Sequence, residues 1–551
     1  MKKNRDFKGF SNNQKEIYIS RKNKLMNIKM KKADKLSSEG RFIEAEIIYR
    51  ELIENNSLNS AVYTNLSLIC WQNKNEVEAS ILLKKAIDLN PNDYLAYFNL
   101  GIISKEKKDY KNALIYFKKV ILINPSDIIS LKEIGTIYEI LGDIESTIKN
   151  LKSQINLDPN NVSLKIRLAA QYNLDYQYEF AISEYIKILN IEPNNYLVYI
   201  DLGNAYKNIG DLDNALNSYK KSLKINKKNQ DVLWNMSLTY LLKGDYVNGW
   251  ECFESRWLKT NKTTLNGDPL GIKCTKENFR NAEKILIVSE QGLGDTIQFM
   301  RYIKEIKKFH KNIVFSCQTK LHNLVRDSGI EANPVSPEDI IKFNDVKWLP
   351  LLSIPGFLNV KPKNPISSKP YIRSNSNLEK KWDAIISKED AFIIGINWQG
   401  NPYVEQNLLK GRSFKLDEFR NISKIKKTKL LSLQKGYGSE QLMECEFRDK
   451  FVSCQKDIDN IWDFSETAAI ISKCNLVITS DTSVAHLSGA LGKETWVLLQ
   501  KIPDWRWGIN SKETFWYPSV KLFRQNINNS WKEVMKNVEI NLIQYLSDLY
   551  D

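Results

Sequence analysis

The chain has 551 residues, more than one compact core accommodates, and its 42% apolar and 26% charged content belongs to folded protein rather than disordered protein. Its formal charge of +15, from 80 Lys and Arg against 65 Asp and Glu, is spread along the chain and carried mostly by Lys, which argues against a nucleic-acid reader. Seven cysteines without a C-x-x-C pair, and His310, His322 and His486 without metal-ligand spacing, exclude a disulfide framework and a zinc site.

Residues 1–25 read as a basic N-terminal tail. The densest basic stretch, Lys22 to Lys35, is a solvated surface or a peripheral contact with anionic lipid. No integral membrane span is expected, because apolar runs never approach the ~18 residues a span needs. The basic start has no apolar core behind it, so it is not a signal peptide, and a cytoplasmic location is expected.

Residues 26–263 repeat with a period of 34, which makes room for about seven units. Pro91, Pro125, Pro159 and Pro193 keep the interval, as do Gly101, Gly135, Ala169 and Gly203. Ala45, Ala79, Ala113, Ala181 and Ala215 share it, with aromatics four residues later at Tyr49, Phe117, Tyr185 and Tyr219. Small residues let two helices approach, the aromatic fills the space one turn on, and Pro ends the second helix. Asn or Asp beside the proline (Asn90, Asn92, Asn124, Asp158, Asn160) is expected to cap the following helix. Asp143, Asp211 and Asp245 each follow a glycine and read as turn residues, so Asp211-Leu-Asp213 is not a metal motif. These positions resemble the tetratricopeptide repeat, whose stacked helix pairs form an α-solenoid with a groove suited to extended polypeptides.

After Trp257 the period is lost, and 264–283 read as a linker. From Lys284 short apolar runs alternate with amphipathic stretches. Ile285–Val288, Ile313–Ser316, Phe392–Ile396, Leu430–Leu433, Leu476–Thr479 and Thr495–Leu499 are expected to be buried parallel strands. An irregular, Pro-bearing region at 319–390 separates two groups of them. The reading is α/β, with two Rossmann-like lobes at 284–390 and 391–551.

Two loops carry candidate chemistry. In Glu290-Gln-Gly292-Leu-Gly294-Asp295 a strand runs through a glycine turn into a helix, placing Asp295 where ligands of open α/β sheets bind. A P-loop is excluded by its missing Lys-Ser/Thr, and a dinucleotide fingerprint by the missing third glycine and closing acid. Asp295 is then either a helix cap or a general base whose ionised form the helix dipole favours. In Ser480-Asp481-Thr482-Ser483-Val-Ala-His486 another strand opens a helix whose free N–H groups suit a diphosphate, with His486 one turn on. This helix start is otherwise simply capped by Asp481. Arg412, Gln434 and Lys435 lie in loops after second-lobe strands, where they either reach the same anion or remain surface groups. Asp457-Ile-Asp459 precedes a helix and is not read as a metal site.

Glu290 to Phe299, Ser480 to Leu487 and Asp504-Trp-Arg-Trp507 together resemble tetratricopeptide proteins with a heptosyltransferase-like domain, of glycosyltransferase family 9 type. The resemblance covers residue 26 to the end. It implies a GT-B fold whose first lobe takes the acceptor, whose second takes a nucleotide-sugar, and whose last helix, near 532–549, returns to the first lobe. The layout is also similar to the O-linked N-acetylglucosamine transferases, whose repeats hold a protein acceptor. By resemblance Asp295 is the base, Asp481, Thr482 and His486 belong to the donor-binding helix start, and Arg412 stands near the donor phosphates. Ser483 replaces a Gly common in the heptosyltransferases, leaving the donor sugar open. The expected function is an inverting sugar transfer to a protein or glycan, without metal or cofactor. The alternative is a non-catalytic scaffold with a nucleotide-binding or degenerate transferase-like domain.

Overall fold

The computed structural model describes residues 12–310, 312–366, 368–405, 411–528 and 530–550, in two units, Met1–Glu184 and Tyr185–Asp551. Of the expected basic tail, residues 1–11 lie outside the described residues. The remainder is helical, because Asn12–Ser38 forms one helix.

The first unit is a solenoid of paired helices: Asn12–Ser38 with Phe42–Glu54, Ser60–Gln72 with Glu76–Leu89, Tyr94–Glu106 with Tyr110–Ile123, Ile128–Leu141 with Ile144–Leu157, and Val162–Leu174 leading into Tyr178–Ile191. The periodic small residues do what their size suggests. A methyl group built on Gly101 would fall 2.6 Å from a Phe117 ring carbon, so glycine lets these two helices close up. Ala45, Ala79 and Ala113 are fully buried, as are Tyr49 and Phe117 one turn on.

The capping residues differ from those expected. Asp93, Asp127 and Asn161, two positions after each proline, accept from the N–H groups of Ala96, Ser130 and Leu164 at 3.1, 2.8 and 3.1 Å. Asn90, Asn124 and Asp158 instead close the preceding helix with their backbone N–H groups. The reason is the length of the turn. The Asp93 N–H returns to the Asn90 carbonyl, so the residues flanking Pro91 are used up before the next helix begins. Gly142, at φ +69°, ends one helix and Asp143 caps the next, accepting from Ser146 at 3.1 Å.

The second unit opens on the same repeat, with Tyr196–Ile209, Leu212–Ile225, Gln230–Lys243 and Tyr246–Phe253, and continues into two parallel sheets. The first contains β1 (Ile285–Val288), β2 (Ile313–Ser316) and β3 (Lys347–Pro350) in the order β2-β1-β3. The second contains β4 (Phe392–Asn397), β5 (Thr428–Ser432), β6 (Leu476–Ser480), β7 (Thr495–Leu499) and β8 (Val520–Arg524) in the order β5-β4-β6-β7-β8. Every pairing is parallel. All residues of β1, β4, β6 and β7 are buried, which is why they read as unbroken apolar runs. β3 and β8 escaped the sequence reading because Lys347, Pro350 and Lys521 interrupt theirs.

Two further expectations change. The 264–283 segment is sewn to the first sheet: Asn266 N–H donates to the Ser289 carbonyl at 2.9 Å and Cys274 N–H to Trp348 at 2.7 Å, with Cys274 and Phe279 buried. The last helix, Lys532–Tyr550, does not return to the first sheet. Its Val534, Val538, Leu542 and Leu546 pack with Phe392, Ile394, Trp496 and Leu498 of the second, whose apolar face needs a cover.

Candidate active site

In the second sheet β4 lies between β5 and β6, so the connections leave β4 toward opposite sides and open a crevice at the carboxyl ends of β4 and β6. Asn397 ends β4 and Ser480 ends β6, with Asp481 and Thr482 next in the chain. Thr482 Oγ1 donates to Asn397 Oδ1 at 2.9 Å, spanning that crevice. Thr482, not Asp481, is the N-cap of the helix Ser483–Leu491, and no side chain caps it, because its hydroxyl is turned to Asn397. No side chain takes the first-turn N–H groups, of which that of Ala485 turns back to the Thr482 carbonyl at 3.1 Å.

The first-sheet loop is built around a buried ion pair that sequence reasoning missed. Glu290 and Arg256 are both fully buried, Arg256 Nε and Nη2 each lying 3.0 Å from a Glu290 carboxylate oxygen. Leu352 N–H, just beyond β3, also donates to Glu290 at 3.0 Å. The left-handed residue of the turn is Gln291, at φ +59°, and not a glycine. Gly292 N–H donates to Asp295 Oδ2 at 2.9 Å, so Asp295 does cap its helix, Leu293–Phe299. Gly294 is needed for a close approach instead, since a methyl there would lie 3.0 Å from His486 Cδ2 and 3.3 Å from Ser483 Cα. The two sequence motifs touch at this glycine.

Arg506 joins them. Its Nη2 pairs with Asp295 Oδ1, its Nε donates to Gln298 Oε1 at 2.6 Å, and its Nη1 donates to Asp504 Oδ1 at 2.8 Å. Burial pushes Asp295 above the ordinary carboxylate range, against the opposing charge of Arg506 and the Gly292 N–H. Burial, not the helix dipole, therefore sets its proton affinity. Asp481 is pushed up to about 6, first by burial and then by Asp504, while Arg412, the Trp507 N–H and Arg506 pull it down. His486 Nδ1 lies 3.0 Å from the Tyr517 hydroxyl, and its ring stacks on Trp507 at 5.4 Å. Burial, followed by Arg506, Arg301 and Arg412, holds it well below the usual imidazole range, so it is neutral.

Arg412 joins the cluster: its Nη1 donates to the Asp481 carbonyl at 3.2 Å and its Nε to Glu405 at 3.1 Å. Gln434 reaches it indirectly. Its Oε1 accepts from Asn397 Nδ2 at 3.0 Å and from the Trp398 and Gln399 N–H groups, and its Nε2 donates to the Gln399 and Tyr437 carbonyls. That amide shapes the loop and is spent on it. Lys435 departs from the expectation, since its Nζ donates to the Ile458 carbonyl, a bond that satisfies its half-buried ammonium away from Thr482. Among the described residues no three His, Cys, Asp or Glu side chains cluster closely enough to hold a metal ion. Among the described residues, no helix is long and apolar enough to cross a membrane.

Sequence reasoning assigned no role to Arg506, Asp504 or Asn397. The signal present was Asp504-Trp-Arg-Trp507 itself, an arginine set between two tryptophans with its own acid two residues earlier.

Comparison with known proteins bears on the helical half. Family models described as tetratricopeptide or TPR repeat match residues 60–93, 82–115 and 203–244. No curated protein matches. Among solved structures, the C-terminal part of a TPR repeat-containing protein from Cytophaga hutchinsonii is 17% identical, covering 42% of this chain and 95% of its own, with a TM-score of 0.33. YrrB, described as a TPR protein with an unusual peptide-binding site, is 18% identical over 34% of this chain and 95% of its own, at 0.29. A structure of Naa15/Naa10 bound to HypK-THB is 12% identical over 42% of this chain and 36% of its own, at 0.38. The chain carries tetratricopeptide repeats, followed by two parallel α/β sheets.

Proposed function

We propose that the two sheets are the lobes of a GT-B glycosyltransferase, which moves a sugar from a nucleotide-sugar donor to a protein or glycan acceptor presented by the repeats. The observation that carries this reading is the packing of the Asp295 turn, at Gly294, against the uncapped Ser483 helix start, with Arg506 paired to Asp295. In the proposed step Asp295 takes the acceptor hydroxyl's proton, the acceptor oxygen bonds the anomeric carbon with inversion, and the nucleoside diphosphate leaves with the bonding pair. N–H groups at the Ser483 helix start, with Arg412, meet the charge that develops on the diphosphate. A raised proton affinity suits Asp295 to act as that base. His486, being neutral, orients and packs and does not donate a proton.

Calorimetric titration with ADP, UDP, GDP and CMP tests the donor half of the reading. One nucleotide is expected to bind in the presence of EDTA, and Arg412→Met is expected to weaken it about tenfold, the loss of a charged hydrogen bond of about 1.5 kcal/mol. Absence of binding by every nucleotide would leave the scaffold reading in its place.

A further inference from the structure

The loop that carries Arg506 is anchored in the last repeat. Trp505 packs among Tyr246, Trp250 and Phe253 of the helix Tyr246–Phe253, with ring centroids at 6.4, 5.6 and 6.2 Å, and on Phe299 and Trp516 from the α/β part. Gly210, at the end of the helix Tyr196–Ile209, leaves space for Ile502 and Ile509: a methyl there would come within 3.4 Å of both. The Arg506 guanidinium lies 4.6 Å from the Trp505 ring and 5.4 Å from the Phe299 ring, so two aromatic rings pack against it. Its Nε donates to Gln298 and its Nη1 to Asp504, and Nη2 is the nitrogen aimed at Asp295. A lysine cannot reproduce this, since its single ammonium has no fork to share among three acceptors.

We infer that Arg506 is the positioning residue of Asp295, held by the last repeat so that its fork keeps that carboxylate ionised and fixed in direction. This rests on the transferase reading for its purpose, but not for its test. Asp295 is faced by Arg506 and Asp504 from the loop after β7 and by the backbone N–H groups of Gly292 and Asp295 in its own turn, while His486 of the second sheet packs by the neighbouring Gly294. Of these, Arg506 supplies the largest stabilisation of the charged form. Without it, burial and Asp504 are opposed by the weaker pull of the Gly292 and Asp295 backbone N–H groups.

The experiment is a pH titration of the Asp295 carboxyl carbon by NMR, in full-length protein labelled at aspartate, with Asp295→Asn identifying the signal. Arg506→Gln is expected to raise the midpoint by at least one pH unit, a tenfold change in proton affinity, while the melting temperature and near-ultraviolet dichroism report that the fold survives. Arg506→Lys is expected to raise it by a smaller amount and decides the matter if the Gln variant does not fold. A midpoint unchanged in whichever variant folds overturns the inference. With a working donor assay, the acid limb of the kcat/KM profile is expected to move in the same direction. Loss of all turnover in the wild type alongside a shifted carboxyl midpoint would defeat the transferase reading and leave the positioning role standing.

Discussion

Single side chains in this site are governed by burial first and by charge second, and the consequences for pH run in opposite directions. Asp481, with its affinity raised to about 6, stabilises the fold fully below its ordinary value of 3.8, and that contribution is lost as pH rises through about 6. Asp481→Asn is therefore expected to flatten the stability profile between those limits, as read by denaturant unfolding, and an unchanged slope would contradict the assignment. Glu254 behaves in the opposite way. Against the penalty of burial, Arg256 and Lys273 hold it down to about 2, so its contribution is present above 4.5 and disappears as pH falls toward about 2. His486 offers a clean spectroscopic check, because the chain has only three histidines. Its ring is expected to stay neutral as pH falls from 8 to 6.5, where an ordinary imidazole is about half charged. A titrating His486 would return the acid role to it. The placement of Asp295, Thr482 and His486 at strand-to-helix junctions was legible in the sequence because strand–glycine–helix and strand–hydroxyl–helix runs mark such junctions directly. Arg506 was not, since its partners Asp295 and Gln298 stand some two hundred positions away. For Lys435 the partner is only 23 positions away, but a loop position says nothing about which carbonyl an ammonium finds.

At the scale of elements, the loop bearing Asp295 is fixed by the Arg256–Glu290 pair more than by its glycines. Removing Arg256 alone leaves a buried carboxylate without its partner, and Arg256→Met is expected to cost about 3–5 kcal/mol in urea unfolding. Replacing both, Arg256→Met with Glu290→Leu, is expected to cost far less, because the carboxylate that remains, Glu254, keeps Lys273 at 2.9 Å. Additive losses would mean that the pair does not act as a unit. The repeat helices were readable by their period of 34, and β1, β4, β6 and β7 by the unbroken burial that makes each a continuous apolar run. The caps fell two residues beyond each proline and not beside it, since a turn's length is set by its backbone hydrogen bond and not by proline alone. The last helix was misplaced because its apolar stripe declares that it is covered, and does not say by which sheet.

At the scale of the whole molecule, the last repeat and both sheets of the second unit share one apolar cluster, in which Tyr246, Trp250, Phe299, Trp505 and Trp516 all take part. The final repeat is accordingly part of the site's foundation and not a tether to it. That junction was invisible in the sequence, where the 264–283 segment reads as a spacer between separate bodies. Transferase chemistry with Asp295 as base is tested most directly by release of nucleoside diphosphate from ADP-, UDP-, GDP- and CMP-sugars by the full-length protein in EDTA, wild type against Asp295→Asn. Slow release from one donor is expected, lowered about 10²- to 10⁴-fold by the substitution while that donor still binds. Release that proceeds unchanged in Asp295→Asn, or no release from any donor that binds, would show that Asp295 is not the base of such a reaction.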